Sequence, residues 1–68
     1  MENLRSLPLR KRVIALMDEK GPQSVNDLCI NLGISNGSSR SVLVKMHKAG
    51  ILERTGKGVY KIKELQEN

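Results

Sequence analysis

A chain of 68 residues has room for one domain with one small core, because smaller units bury too little surface to stay folded. Hydrophobic residues make up 38% of it and Tyr60 is the sole aromatic, so the core must come from Leu, Ile, Val and Met, which argues against a large ligand cavity. Twelve Lys and Arg against seven Asp and Glu give a net charge of +5, a balance that favours a polyanionic partner, while a single Cys and a single His are too few for an internal disulfide or a zinc site.

The opening residues MENLRSLPLRKR contain no apolar stretch of the secretory-leader type, and no apolar run is long enough to span a bilayer, so we expect a cytoplasmic protein without a membrane segment. Ser6, ahead of Leu7 and Pro8, reads as a helix cap. Leu9, Val13, Leu16 and Met17 then share one helical face up to the stop at Gly21-Pro22, which predicts a first helix over Pro8 to Lys20. Gln23 to Val25 is either a linker or a single extended pairing. Ser24 followed by Asp27 is a capping signature, and Val25, Leu28, Cys29 and Leu32 form an apolar stripe that ends at Gly33. Cys29 is thereby expected in the core.

Ser35 is a second N-cap, and Val42, Leu43, Met46 and Ala49 predict a third helix over about Asn36 to Ala49, stopped by Gly50. The stretch ILERTGKGVYKIK holds two apolar runs around a Gly-containing turn at Thr55 to Gly58, the pattern of a hairpin with Tyr60 and Ile62 inward and Val59, Lys61 and Lys63 outward. The reading is one α+β, mainly helical domain over 1–68 with its core at about 8–63.

This order of elements, and the run SVNDLCINLGISNGSSRSVLVKMHKAGILER with GKGVYKI after it, resembles the winged helix-turn-helix family across about residues 8 to 63. Leu28 matches the apolar residue of the supporting helix, Gly33-Ile34-Ser35 the turn, Leu43 and Met46 the paired apolar positions of the recognition helix, and Ala49 to Leu52 the junction into the wing. Ser39 departs from the pattern, since it stands where the family usually carries an apolar anchor. Either Ile34 covers that gap or the first turn of the third helix is looser than usual. The resemblance implies three helices and a two-stranded hairpin wing.

In that family the first turn of the recognition helix enters the major groove, and the small residues here permit close approach. Gly37 costs up to about 1 kcal/mol relative to Ala within a helix, which suggests that backbone proximity offsets the loss. Asn36 can pair with adenine and Arg40 with guanine, while Ser35, Ser38 and Ser41 offer hydroxyls. Arg40 and Lys45, with Lys48 beyond them, read as a basic face opposite Leu43 and Met46. Val44 either touches a thymine methyl or is a singly exposed apolar residue. In the wing, Lys57 between Gly56 and Gly58 is placed to follow a phosphate or enter a minor groove, flanked by Arg54 and Lys61.

Each assignment has a plainer counterpart. Ser, Asn and Gly are common at helix starts because they cap and turn, exposed charges need no partner, and a hairpin-tip Lys is an ordinary solubility device. Arg10, Lys11 and Arg12 either touch flanking phosphates or form a solvated face. The GKG lacks the longer spacing of a phosphate-cradling loop, and His47 has no companions for catalysis, so no enzyme activity, cofactor, metal or small-molecule ligand is expected.

The expected function is sequence-specific binding of double-stranded DNA by a small, repressor-like transcription regulator associated with the nucleoid. A homodimer is expected because one copy reads few base pairs, and Leu4, Leu7 and Leu65, left over from the core, suggest the two termini as its surface. The alternatives are a winged-helix protein-interaction module and, given one inward aromatic, less readily an RNA or single-strand binder.

Overall fold

Two of the three helices among the described residues begin at a capping serine. The computed structural model describes residues 8–63, which form α1 (Leu9–Lys20), β1 (Gln23–Ser24), α2 (Val25–Leu32), α3 (Asn36–Lys48), β2 (Leu52–Gly56) and β3 (Val59–Ile62). Ahead of α2 the capping box is complete: the Asp27 amide donates to Ser24 Oγ at 3.1 Å and the Ser24 amide donates back to Asp27 Oδ2 at 3.0 Å. Two donors that the first turn would leave orphaned are thus satisfied. At α3 the Ser35 hydroxyl accepts from the Ser38 amide at 3.1 Å. The expected cap Ser6 lies outside the described residues; Pro8 occupies the N-cap of α1 with no side-chain cap, and its carbonyl accepts from the Arg12 amide.

The C-terminus of α3 sets the direction of everything after it. The Gly50 amide donates to the His47 carbonyl and the Ile51 amide to the Met46 carbonyl, with Gly50 at a φ of 83°, a left-handed residue that reverses the chain. Helix α3 therefore stops at Lys48. Ala49, expected on its apolar stripe, is exposed at the C-cap.

Among the described residues seven form the buried core: Val13, Leu16 and Met17 of α1, Leu28 of α2, Leu43 and Met46 of α3, and Leu52 of β2. Leu9, Val25, Leu32, Ile34, Val42, Ile51, Tyr60 and Ile62 pack around it, half-buried. The inward positions of Tyr60 and Ile62 agree with the two-residue period.

The sheet has three antiparallel strands in the order β1-β3-β2, where a two-stranded hairpin was expected. Gln23 pairs with Tyr60 and Ser24 with Val59, so the short extended pairing between the first two helices becomes the third strand. Gln23 is buried, and its Oε1 accepts from Asn31 Nδ2 at 3.0 Å, which ties β1 to the far end of α2. Among the described residues no helix is long and apolar enough to cross a membrane.

Candidate nucleic-acid interface

Helix α3 has one face in the core, and helical geometry decides where its other residues point. At about 100° per residue, Lys48 and Ser41 lie opposite the Leu43–Met46 face, with Gly37 close to them. Arg40 and Lys45, five residues apart, are separated by about 140° around the axis, so they form the two shoulders of this face rather than its centre. Ser35, Asn36, Gly37, Ser38, Arg40, Ser41, Lys45 and Lys48 are all exposed. From Leu28 to Leu52 the chain contains no acidic residue, so this surface has no internal counter-charge along its own length. Lys45 and Lys48 also occupy the last turn of α3, where cations favour the negative end of the helix dipole.

Gly37 tests whether the small residues serve the protein's own packing. Among the described residues a Cβ built there would meet only Ser35 Oγ, at 4.0 Å, so none of them requires a glycine at this position. Beside it, Gly37, Ser38, Ser41, Val42 and Lys45 line a shallow open cleft of about 350 Å³ whose far wall is Leu9 of α1. This side of the outer face is therefore bounded by the first turn of α1. There Arg10 and Lys11 are exposed, whereas the Arg12 guanidinium donates to the Leu32 carbonyl at 3.2 Å and holds α1 against α2.

The other shoulder runs into the hairpin. Arg40 and His47, seven residues apart, lie almost on one line along α3. His47 Nδ1 is 3.1 Å from the Leu52 carbonyl oxygen of β2, and its ring meets that of Tyr60 on β3 edge-on at 5.6 Å. Val44 belongs to this shoulder and is half-buried, not openly exposed, with Arg40 and Lys48 one turn away on either side.

Within the hairpin the basic residues divide. Leu52 pairs with Ile62 and Arg54 with Tyr60, so exposed Arg54 shares the inner face with Tyr60 and projects on the α3 side. Lys61 pairs with Glu53 on the outer face, where it is half-buried with a carboxylate as its cross-strand neighbour. The expected symmetric flanking of Lys57 is thus replaced by one cation, Arg54, facing α3 and another, Lys61, facing away. Lys57 is exposed at the turn, after a register shift between Arg54 and Gly56 that bends the hairpin end.

Two residues at the edge of this surface carry contacts that residue patterning does not signal. Cys29, expected in the core, is half-buried, and its thiol donates to Asn36 Oδ1 at 3.2 Å. Its sulfur also lies 3.5 Å from the hydroxyl of Ser39, which is fully buried. A polar pair fills the place of the apolar anchor, while Ile34 packs half-buried against the core nearby. The thiol holds the carbonyl side of the Asn36 carboxamide, leaving its amino group as the outward donor. His47 is the second such residue; its partner is a backbone carbonyl, which no residue spacing announces.

A larger open groove of about 500 Å³ lies between the C-terminal halves of α1 and α2, with Ile30, 71% exposed, on its rim. Among the described residues no His, Cys, Asp and Glu cluster is suited to hold a metal ion. The chain matches no protein-family model, no curated protein and no solved structure.

Proposed function

We propose that the chain is a winged helix-turn-helix protein that binds double-stranded DNA in a sequence-specific way, acting as a repressor-like transcription regulator by occupying its site. In this reading α3 lies in the major groove with its open N-terminal turn against the base edges. The β2–β3 hairpin is the wing, and Lys57 at its tip follows the backbone or enters the minor groove. Asn36 and Arg40 read bases; Lys45 and Lys48 contact phosphates, and Arg54 supports the wing from the α3 side. The mechanism is binding alone, with no enzyme step and no cofactor.

The observation that carries the reading is the continuity of one exposed, acid-free surface from Gly37 along α3 to Lys48, joined through His47 and Tyr60 to the hairpin. A groove-reading helix needs open backbone at its start, cations along its length and a second cationic element at a fixed offset. Those three features occur together here. We place the protein on the nucleoid as a homodimer, reading two half-sites about 34 Å apart. Leu4, Leu7 and Leu65, named for the dimer contact, lie outside the described residues.

Selection of bound duplexes from a random pool tests the proposal. An enriched, palindromic consensus is the expected result. No enrichment, together with binding that does not weaken as salt rises, would refute DNA reading and move the function to a protein-interaction module, for which the rim at Ile30 is the first surface to examine.

A further inference from the structure

A hairpin contributes to a groove-binding surface only if its tip is held at a set offset from the helix beside it. Here the base of the hairpin is pinned by Leu52, which is buried, and by the Lys63 amide, which donates to the Ile51 carbonyl at 2.9 Å. Those contacts fix where the strands begin. β1 holds β3 on one side through Gln23–Tyr60 and Ser24–Val59, whereas among the described residues β2 is an edge strand with no neighbouring strand on its outer side, so strand pairing alone does not set the offset of β2 and the turn from α3.

The register shows what closes that edge. With Lys63 bonded to Ile51, and with Leu52 opposite Ile62 and Glu53 opposite Lys61, hydrogen-bonded and non-bonded pairs alternate along the ladder. Leu52 falls in a non-bonded pair, so its carbonyl points outward from the sheet, and that oxygen is the one His47 Nδ1 reaches at 3.1 Å. A carbonyl can only accept, so Nδ1 carries the hydrogen of this bond. The same ring sets its edge against Tyr60 in β3, at 5.6 Å and an interplanar angle of 65°. One side chain of α3 thus holds the backbone of one hairpin strand and a side chain of the other.

We infer that His47 is a positioning residue: it fixes the hairpin, and with it Lys57, relative to the outer face of α3, and so sets the spacing between the two parts of the surface. The inference rests on the DNA-binding reading for its functional meaning, but its geometric content stands apart from any ligand. His47 is exposed, so replacing it leaves the buried core intact.

The test uses the full chain in two arms. In the first, without nucleic acid, residual dipolar couplings of backbone amides are compared in the parent protein, His47→Ala, His47→Asn and His47→Gln. Asn places an amide donor near the position of Nδ1, whereas Gln places its amide near Nε2, out of reach of the Leu52 carbonyl. The expected result is a single hairpin orientation relative to α3 in the parent and His47→Asn. In His47→Ala and His47→Gln the couplings of β2 and of the turn at Lys57 should be averaged, while those of the three helices and of β3, held by its pairing with β1, are unchanged. In the second arm a short mixed-sequence duplex is titrated at several salt concentrations. Lys57→Ala should lower the salt slope by about 0.9 in the parent, the value of one phosphate contact, and leave it unchanged in the His47→Ala background.

Hairpin couplings in His47→Ala equal to those of the parent would overturn the inference. So would a Lys57→Ala effect of the same size in both backgrounds. A parent that binds the duplex with no salt dependence would count against the DNA-binding reading alone, since the first arm still decides the role of His47.

Discussion

The thiol of Cys29 in α2 donates to Oδ1 of Asn36, the first residue of α3, across 3.2 Å. This bond orients a carboxamide on the proposed base-reading turn from the neighbouring helix α2. Free rotation of the Asn36 side chain would let it present either its oxygen or its amino group outward. Cys29→Ala releases that choice. The predicted outcome is a loss of preference at one base pair in duplex selection, worth on the order of 1–3 kcal/mol of discrimination, with the preferences read by Arg40 unchanged. An unaltered selection profile would show that Asn36 does not read a base from this orientation.

Ser39 sits fully buried where an apolar anchor is usual, beside the Cys29 sulfur. Its volume is already enclosed, so enlarging it strains the helix pair more than it fills a gap. Ser39→Leu should therefore destabilise the fold by about 1–3 kcal/mol in urea unfolding, as overpacked sites do. Ser39→Ala removes a hydroxyl whose neighbouring sulfur is only a weak partner, and should change stability by less than about 1.5 kcal/mol. Stabilisation by Leu would instead reveal unfilled space between α2 and α3.

Leu28 and Ile30 stand two residues apart on α2 and meet opposite fates, the first at 0% exposure and the second at 71%. Leu28→Ala should cost about 2–5 kcal/mol through lost burial and the cavity left behind. For a domain this small that is most of the total stability, so circular dichroism should show a largely unfolded chain at 37 °C. Ile30→Ala should shift stability by no more than about 0.5 kcal/mol, the ordinary range for a surface site.

Much of this architecture was legible from residue spacing, and the exceptions share a cause. Ser24 with Asp27, Ser35, Gly33 and Gly50 mark helix ends through contacts within a few residues, so patterning finds them. The apolar faces of α1 and α3 follow from periodicity in the same local way. Gln23-Ser24 could not be assigned to a sheet on such grounds, because two polar residues have no alternation to read and their partners lie at Val59 and Tyr60, far along the chain. Ser39 was placed at the anchor position and is buried there, but the role of Cys29 as its polar partner was not readable, because periodicity assigns a face but not what fills it. His47 gave no signal at all, since its acceptor is a carbonyl that the turn at Gly50 delivers. In the candidate site, the row of exposed residues on α3 was visible in advance, and the tethers at its two ends were not.

Gly37 separates what the fold needs from what a ligand needs. A methyl group at this position has open space around it and a non-left-handed backbone to sit on, so Gly37→Ala should raise fold stability by up to about 1 kcal/mol, through reduced freedom in the unfolded chain. The same methyl stands on the turn proposed to approach base edges. Duplex affinity should fall even as the melting temperature rises, and an Ala variant that gains stability with no loss of binding would place the contact elsewhere on α3.

Arg40 and Lys57 occupy different parts of the proposed surface and should fail differently. Arg40 is exposed on the hairpin-side shoulder of α3, within the first turns of the helix, where a guanidinium can meet the two acceptors of a guanine edge. Its removal should relax preference at one position by about 1–3 kcal/mol while leaving binding to unrelated duplexes nearly intact. Lys57, on the hairpin turn, has a single charge to offer and no fork to align with a base. Lys57→Ala should weaken all duplexes alike and reduce the salt slope by about one. The two variants measured on one selected duplex and one scrambled duplex give four affinities. If Arg40→Ala weakened both duplexes equally, it would be a phosphate contact, and base reading would have to come from Asn36 and the serines of the first turn.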